Sequence, residues 1–286
     1  MPIPSSSFDF HCHSSVSDGL LSPGDLVARA AGRGVRRLAL TDHDDTGGLE
    51  EAHRAAGEAG ISFVNGVEIS IEWEDISIHI VALDFDPACP ALQEGLGRIR
   101  KGRMERAERM GDAFEAIGIS GAFAGALAHC ANPALVSRAH FARCLVERGL
   151  FREQREVFEH YLTPGKPGYV PHHWASLAEA LSWVRAAGGV AVVAHPGRYR
   201  MARGQMRRFL AEFRELGGQA VEVSSGSHSP DHVRRFAHLT RHFGLHASGG
   251  SDFHAQHESR ADLGGFLPLP EDLPPVWRLF STRVQP

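Results

Sequence analysis

The most constraining feature of this sequence is a recurrence: short apolar runs end, one after another, in histidine, aspartate or glutamate. Ser7–His13 ends in Asp9-Phe-His11-Cys-His13, Val35–Asp42 runs into Thr41-Asp42-His43-Asp44, and Ile61–Ile69 holds Gly66-Val-Glu68. Ile76–Leu83 carries His79 on the face opposite Ile76, Ile78 and Ile80, and Val190–Ala194 runs into His195-Pro196. Gln219–Ser224 follows, and Leu245–Gly250 leads into Ser251-Asp252-Phe-His254. Side chains alternate along a strand, so Asp9, His11 and His13 are expected on one face, with Phe8 and Phe10 on the other. Helical patterns fall between most of these runs. Ser22-Pro23-x-Asp25 reads as an N-cap with Pro at the first helical position, and Ser176-Leu-Ala-Glu179 as a capping box. Gly60 and Gly188 stand where helices end. Repeated strand–helix units predict an α/β fold with a parallel sheet, and seven strand candidates point to a barrel. In such barrels the C-terminal strand ends form the active face.

The alternation breaks between residues 98 and 170. There one helix is expected through Leu96, Ile99, Met110 and Phe114, a second through Phe141, Leu145 and Val146, and a third through Val157 and Tyr161. The division expected is therefore a barrel from residues 1–97 and 171–286, with an all-α insert at 98–170 covering the active site. From Arg98 to Lys166 the insert holds twelve Lys and Arg against eight Asp and Glu, while the whole chain holds 30 against 34. A basic segment in an acidic chain suits a small anionic substrate better than a long polyanion. Its candidate anion-binding residues are Arg103 and Arg106 on one helical face, Arg138 and His140 in Ser137-Arg138-Ala-His140-x-x-Arg143, and Lys166.

Cys12, Cys89, Cys130 and Cys144 form no C-x-x-C pair, which fits a reducing cytoplasm. The opening Met-Pro-Ile-Pro-Ser-Ser-Ser lacks the basic and apolar regions of a signal peptide, and no apolar run reaches transmembrane length. Cys12 falls opposite His11 and His13 and is expected in the core. His53, His129, His160, His232, His238 and His242 read as ordinary surface histidines, whereas His172-His173 is a candidate to face the site.

In order, D-x-H-x-H, T-D-H-D, G-x-E, a lone strand histidine, H-P and S-D-x-H resemble the PHP (polymerase and histidinol phosphatase) family of the amidohydrolase superfamily. The resemblance runs from Asp9 to His254. It implies a distorted seven-stranded (β/α) barrel holding two or three divalent metal ions. It places one ion on His11, His13, Glu68 and Asp252, a second on Glu68, His79 and His195 with Glu68 bridging, and a third on Asp18, His43 and His254. Glu68, Asp252 and His254 are expected to serve the chemistry directly. The sequence departs from members that have histidine at the Asp18 position, and an oxygen ligand there favours Mn²⁺ or Mg²⁺ over Zn²⁺, with Fe²⁺ also compatible. Asp9 and Asp42 are expected either to orient ligating histidines or to be structural. Paired dications would lower the pKa of a water, supply hydroxide at neutral pH and neutralise phosphoryl oxygens.

The stretch around Arg138 and His140, with the Gly-Lys-Pro-x-Tyr-Val-Pro turn, resembles a PHP subgroup acting on nucleoside 3′,5′-bisphosphates, with related activity on short RNA 5′ ends. The activity implied is removal of the 3′-phosphate, with the 5′-phosphate held by the insert. Alternatives are a 5′-to-3′ exonuclease on short 5′-phosphorylated RNA, a histidinol-phosphate phosphatase, and a non-catalytic metal-binding polymerase-accessory module. The last would be expected to have lost ligands, and none is missing. No membrane and no obligate protein partner is expected.

Overall fold

The apolar runs fold as strands and the patterns between them as helices. A computed structural model describes residues 7–172 and 174–281. In chain order its elements begin β1 (Phe8–Asp9), α1 (Pro23–Gly32), β2 (Arg37–Leu40), α2 (Leu49–Ala59), β3 (Ser62–Trp73) and β4 (Ile76–Leu83). A helical stretch follows: α3 (Pro90–Ala116), α4 (Ala122–Ala128), α5 (Arg138–Glu147) and α6 (Gln154–Val157), the last continuing as a π-turn over Phe158–Leu162. The barrel resumes with β5 (Ala175–Ser176), α7 (Leu177–Ala186), β6 (Val190–Val193), α8 (Arg203–Glu215), β7 (Ala220–Ser225), α9 (Pro230–Phe243) and β8 (His246–Gly250). The expected caps form. Ser22 Oγ accepts from Asp25 N, Ser176 and Glu179 exchange both capping-box bonds, and Gly60 closes α2 at φ 68°.

Seven strands pair in the order β1-β2-β3-β4-β6-β7-β8, and the short β5 adds to β3 beyond this path. The seam between β8 and β1 is held by Phe10 N donating to Gly249 O at 3.2 Å, Asp252 N to His11 O at 2.8 Å and His13 N to Phe253 O at 2.8 Å. The barrel is therefore nearly closed. Gly250 is required at this seam, because a Cβ there would lie 2.3 Å from His11 Cβ.

The expectation of a parallel sheet is corrected at one strand: β4 runs antiparallel to both β3 and β6, while the other barrel pairs are parallel. Glu74 and Asp75 connect β3 to β4 with φ of 46° and 60°. Two successive left-handed residues make a tight hairpin whose twist matches its strands and leave no length for a crossover helix.

Alternation sorts the barrel wall. Val64, Val81, Leu83, Val190, Val192, Ala194 and Ala220 face inward and pack with Phe8, Phe10 and Phe266. Val67, Ile69, Ile71, Ile78, Ile80 and Ala82 face the helices. The floor is an aromatic plug, with Phe8 5.0 Å from Trp277 and Phe10 5.6 Å from Phe280 between ring centroids. Of these rings Phe8 and Phe10 are buried, each contributing about 1.5–3 kcal/mol, and Trp277 and Phe280 are half-buried; together they leave the opposite end as the open one. The helical stretch has a core of its own around Met110, Phe114, Phe141, Leu145, Val157 and Leu162. α3 runs unbroken through residue 98, so the insert boundary expected there falls inside a helix. Among the described residues, no helix is long and apolar enough to cross a membrane.

Candidate active site

At the open end, each strand of the path delivers polar residues to one point. His11 and His13 lie just past β1, Asp18 in the turn that follows, and His43 just past β2. Glu68 stands on β3 on the inward face shared with Val64, and His79 stands on β4, paired with Ser70. His195 follows β6, and Asp252 and His254 follow β8. Because β4 is reversed, its N-terminal half lies beside the C-terminal half of β3. That register, and not a strand C-terminus, brings His79 to the mouth. His195 and Asp252 adopt φ of 26° and 56°, a region costly for residues with a Cβ and common where function holds backbone in place.

The expected face-sharing of Asp9, His11 and His13 holds only for the two histidines. The strand ends at Asp9, and Asp9 accepts from the amides of Ser251 (2.8 Å) and Gly264 (2.8 Å). Asp42 likewise takes Ser14 N (2.8 Å), Ser14 Oγ (2.6 Å) and Ser17 Oγ (2.6 Å). Both aspartates clamp loops rather than imidazoles. Cys12 is buried, as expected, and its thiol donates to Ala39 O.

All nine expected cluster residues converge. His11 Nε2 and His13 Nε2 are 3.1 Å apart, and each lies 3.3 Å from Glu68 Oε2. Asp252 Oδ1 is 3.4 Å from His13 Nε2. The other oxygen, Glu68 Oε1, is 2.8 Å from His79 Nδ1 and 2.9 Å from His195 Nε2. Asp18 Oδ1 is 3.3 Å from His254 Nε2 and 3.8 Å from His43 Nε2. His43 is shared more widely than expected, since its Nδ1 also lies 3.0 Å from Glu68 Oε2.

These atoms suit divalent cations. Glu68 Oε2, Asp18 Oδ1 and His43 Nδ1 are buried and make no hydrogen bond of acceptable geometry. Donor atoms about 2.1 Å from an ion sit about 3.0–3.4 Å from one another, as several do here. Burial holds His13 and His195 down to about 3, so both rings are neutral, the form that ligates. Burial opposes ionisation of Glu68, yet His79, His11 and His43 hold its carboxyl well below the usual range. Among the described residues, the groups able to share an ion are His13, Asp18, His43 and His254; His11, His195 and Asp252; His11, His13 and Glu68; and His43, Glu68 and His79.

Sequence reasoning missed the supports of this cluster. Glu222 Oε1 bonds His11 Nδ1 at 2.6 Å while Oε2 accepts from His195 N at 2.5 Å, so one buried carboxylate orients two histidines. Arg198 bonds Asp252, and His79 N donates to Tyr199 Oη at 2.9 Å. Glu222 had a signal: it continues the inward parity of Ala220 in an otherwise apolar or small-residue strand.

Above the cluster lies a cleft of about 550 Å³ that Arg103, Arg106, Arg138, Phe158 and Trp174 help to line. Arg103 is committed to the barrel, its Nε donating to Asp44 Oδ2 at 2.7 Å and Nη2 to Ser70 Oγ at 2.8 Å. Arg106 and Arg138 instead donate to the carbonyls of Val170 (2.9 Å) and Leu162 (3.2 Å). Burial, then the charge of Arg138, lowers Arg106 to about 9, an environment that welcomes an anion. The structure does not bring the other two candidates to the cleft. His140 is buried and its Nδ1 accepts from Ser137 N at 2.9 Å, capping α5. Lys166 is exposed on the turn after the π-segment. His172 packs on Trp174 at 4.4 Å, and His173 lies outside the described residues, as does the chain start.

The same architecture occurs in known proteins. The chain is 53% identical to a 3′,5′-nucleoside bisphosphate phosphatase from Chromobacterium violaceum, over 97% of this chain and 98% of that one. It is 41% identical to a 5′-3′ exoribonuclease from Haemophilus influenzae, over 96% and 98%. A solved amidohydrolase structure from Chromobacterium violaceum, with bound sulfate, superposes with a TM-score of 0.93 at 53% identity, covering 96% of this chain and 95% of that one. The PHP domain model matches residues 9–163, and relatives this similar extend the match over nearly the whole length: the chain belongs to the PHP domain family.

Proposed function

We propose that this chain is a metal-dependent phosphatase that removes the 3′-phosphate of nucleoside 3′,5′-bisphosphates, yielding nucleoside 5′-phosphate and orthophosphate. The observation that carries the reading is one cleft with two unlike ends: histidines and carboxylates at the barrel mouth, and Arg106 and Arg138 on its wall. In this reading His11, His13, Glu68 and Asp252 hold one ion, Glu68, His79 and His195 a second, and Asp18, His43 and His254 a third. Oxygen donors at Glu68, Asp252 and Asp18 favour Mn²⁺. Bound ions supply Lewis acidity, lowering the pKa of water and neutralising phosphoryl oxygens.

The chain's own residues do the rest. Glu222 fixes the ring of His11 and the backbone of His195, so these donors need little reorganisation on loading. Arg198 holds Asp252 from the cleft side. Arg106 and Arg138 accept the 5′-phosphate, and residues 98–170 act as the insert that sets this second anion site over the mouth. The four free, buried cysteines fit a cytoplasmic setting.

A second reading, 5′-to-3′ hydrolysis of short 5′-phosphorylated RNA, has the support of the exoribonuclease relative. Purified chain loaded with Mn²⁺ and assayed against nucleoside 3′,5′-bisphosphates, histidinol phosphate and short 5′-phosphorylated RNA separates the readings. We expect the bisphosphates to give the highest kcat/KM, strong chelation to abolish turnover, and elemental analysis to find at least two divalent ions per chain. Faster turnover of the RNA would replace the first reading by the second.

A further inference from the structure

The helical insert touches the barrel cluster at Asp18 by two routes, one of them braced by Glu258. Ser137 Oγ donates to Asp18 Oδ2 at 3.2 Å. Arg143 Nη2 donates to Asp18 O at 2.5 Å, and the same guanidinium pairs with Glu258, at 2.7 Å from Nη2 to Oε2. Ser137 is itself the N-cap of the ten-residue α5: its hydroxyl accepts from Ala139 N while its own proton goes to Asp18. Asp18 is buried, and with Oδ2 occupied, Oδ1 is left without a hydrogen bond beside His254 and His43. The carboxylate is thus held by the insert and aimed at the barrel.

We propose that docking of the insert and ion binding at Asp18, His43 and His254 are one linked equilibrium, with Ser137 as the positioning residue and Arg143 as the clamp. The inference rests on the reading of those three residues as a metal set. An undocked insert releases Asp18 Oδ2 to rotate toward solvent, and the set loses its only carboxylate in a fixed pose. Linkage is reciprocal: an ion that needs the docked insert must stabilise docking by the same factor. The basic wall would then stand over the mouth most firmly when an ion is bound at Asp18, His43 and His254.

The test is Mn²⁺ binding to the metal-free full chain, with each class of bound ion counted, in wild type, Asp18→Asn, Ser137→Gly and Ser137→Thr. Glycine removes the hydroxyl yet is tolerated at an N-cap, so α5 stays formed, and threonine restores the donor. Asp18→Asn identifies the ion in question. Ser137→Gly should weaken that same ion about 10–100-fold, the usual effect of losing a ligand's hydrogen-bond partner, with the other ions unmoved and Ser137→Thr close to wild type. In parallel, trypsin cleavage in the exposed Arg148–Arg152 segment should slow on adding Mn²⁺ to wild type, and this protection should vanish in Ser137→Gly. If Asp18→Asn removes an ion but Ser137→Gly binds it with wild-type affinity, the linkage is overturned while the metal set stands. If Asp18→Asn changes no ion, the metal set falls and the linkage with it.

Discussion

The mouth of the barrel and the wall above it handle charge in opposite ways. At the mouth, one carboxylate is crowded by five imidazoles: Glu68 lies within 3.3 Å of His11, His13, His43, His79 and His195. On the wall, Arg106 and Arg138 are steered by carbonyls and repel one another. The mouth is built on strand ends whose positions the ladder sets. The wall is built on α5 and the C-terminal half of α3, which share a core of their own, while the N-terminal half of α3 (Leu92, Leu96, Ile99) packs in the barrel's core. The two regions meet at Asp18, where Ser137, the cap of α5, and Arg143 within it reach a residue of the cluster.

The comparison breaks first at Glu68. Glu68→Gln removes the one charge shared by both halves of the cluster, and kcat should fall by about a thousand-fold or more, since bound ions contribute several kcal/mol. Bound metal should fall with it, and circular dichroism should be unchanged. Wild-type turnover at full metal content would show that the cluster does not work as a unit. Glu222→Gln comes next: it keeps the shape but weakens the bond to His11, so affinity for the tightest ion should drop about 10–100-fold, measured by titration against a chelator.

On the wall the effects should be smaller and of a different kind. Arg138→Ala should cut kcat/KM for a nucleoside 3′,5′-bisphosphate about ten- to a hundred-fold, the equivalent of about 1.5–3 kcal/mol for a charge-assisted contact, and leave a simple 3′-phosphate nearly untouched. A wild type that does not distinguish these two substrates would remove the second anion site. The smallest kinetic effect is expected at His140. His140→Ala leaves Ser137 N without its partner, a loss of about 1–3 kcal/mol in stability read as a lower Tm, with kcat/KM within a few-fold of wild type. A large kinetic loss at unchanged Tm would return His140 to the substrate site.

The mouth was legible because metal chemistry admits few residue types and strand ends repeat at intervals that a reader can count. His11 and Asp252 are far apart in sequence, yet each announces itself locally. The supports were harder to read: Glu222 does its work through a ring that belongs to another strand, and its one signal, the parity it shares with Ala220, equally fits a solvent-facing alternate. Helical spacing placed Arg103 and Arg106 together but could not show that Asp44, from the β2–α2 loop, had claimed Arg103. The reversal of β4 hid in Glu74-Asp75, which takes the backbone of a tight hairpin without the Asn-Gly or Gly that usually marks one. α4 escaped notice because Ala122–Ala128 is nearly all small or apolar and shows no clear stripe.

The seam between β1 and β8 has a consequence for the order of events during synthesis. Asp9 holds Ser251 across 242 positions, and His11 and His13 meet Asp252 only through that seam. A ribosome adding roughly 5–20 residues per second needs on the order of 10–50 s between those two ends. Throughout that interval the first histidines are made but lack their distal carboxylate, while the β3–β4 hairpin, closed by two residues, can already form. The cluster can therefore be completed only when nearly the whole chain has been made.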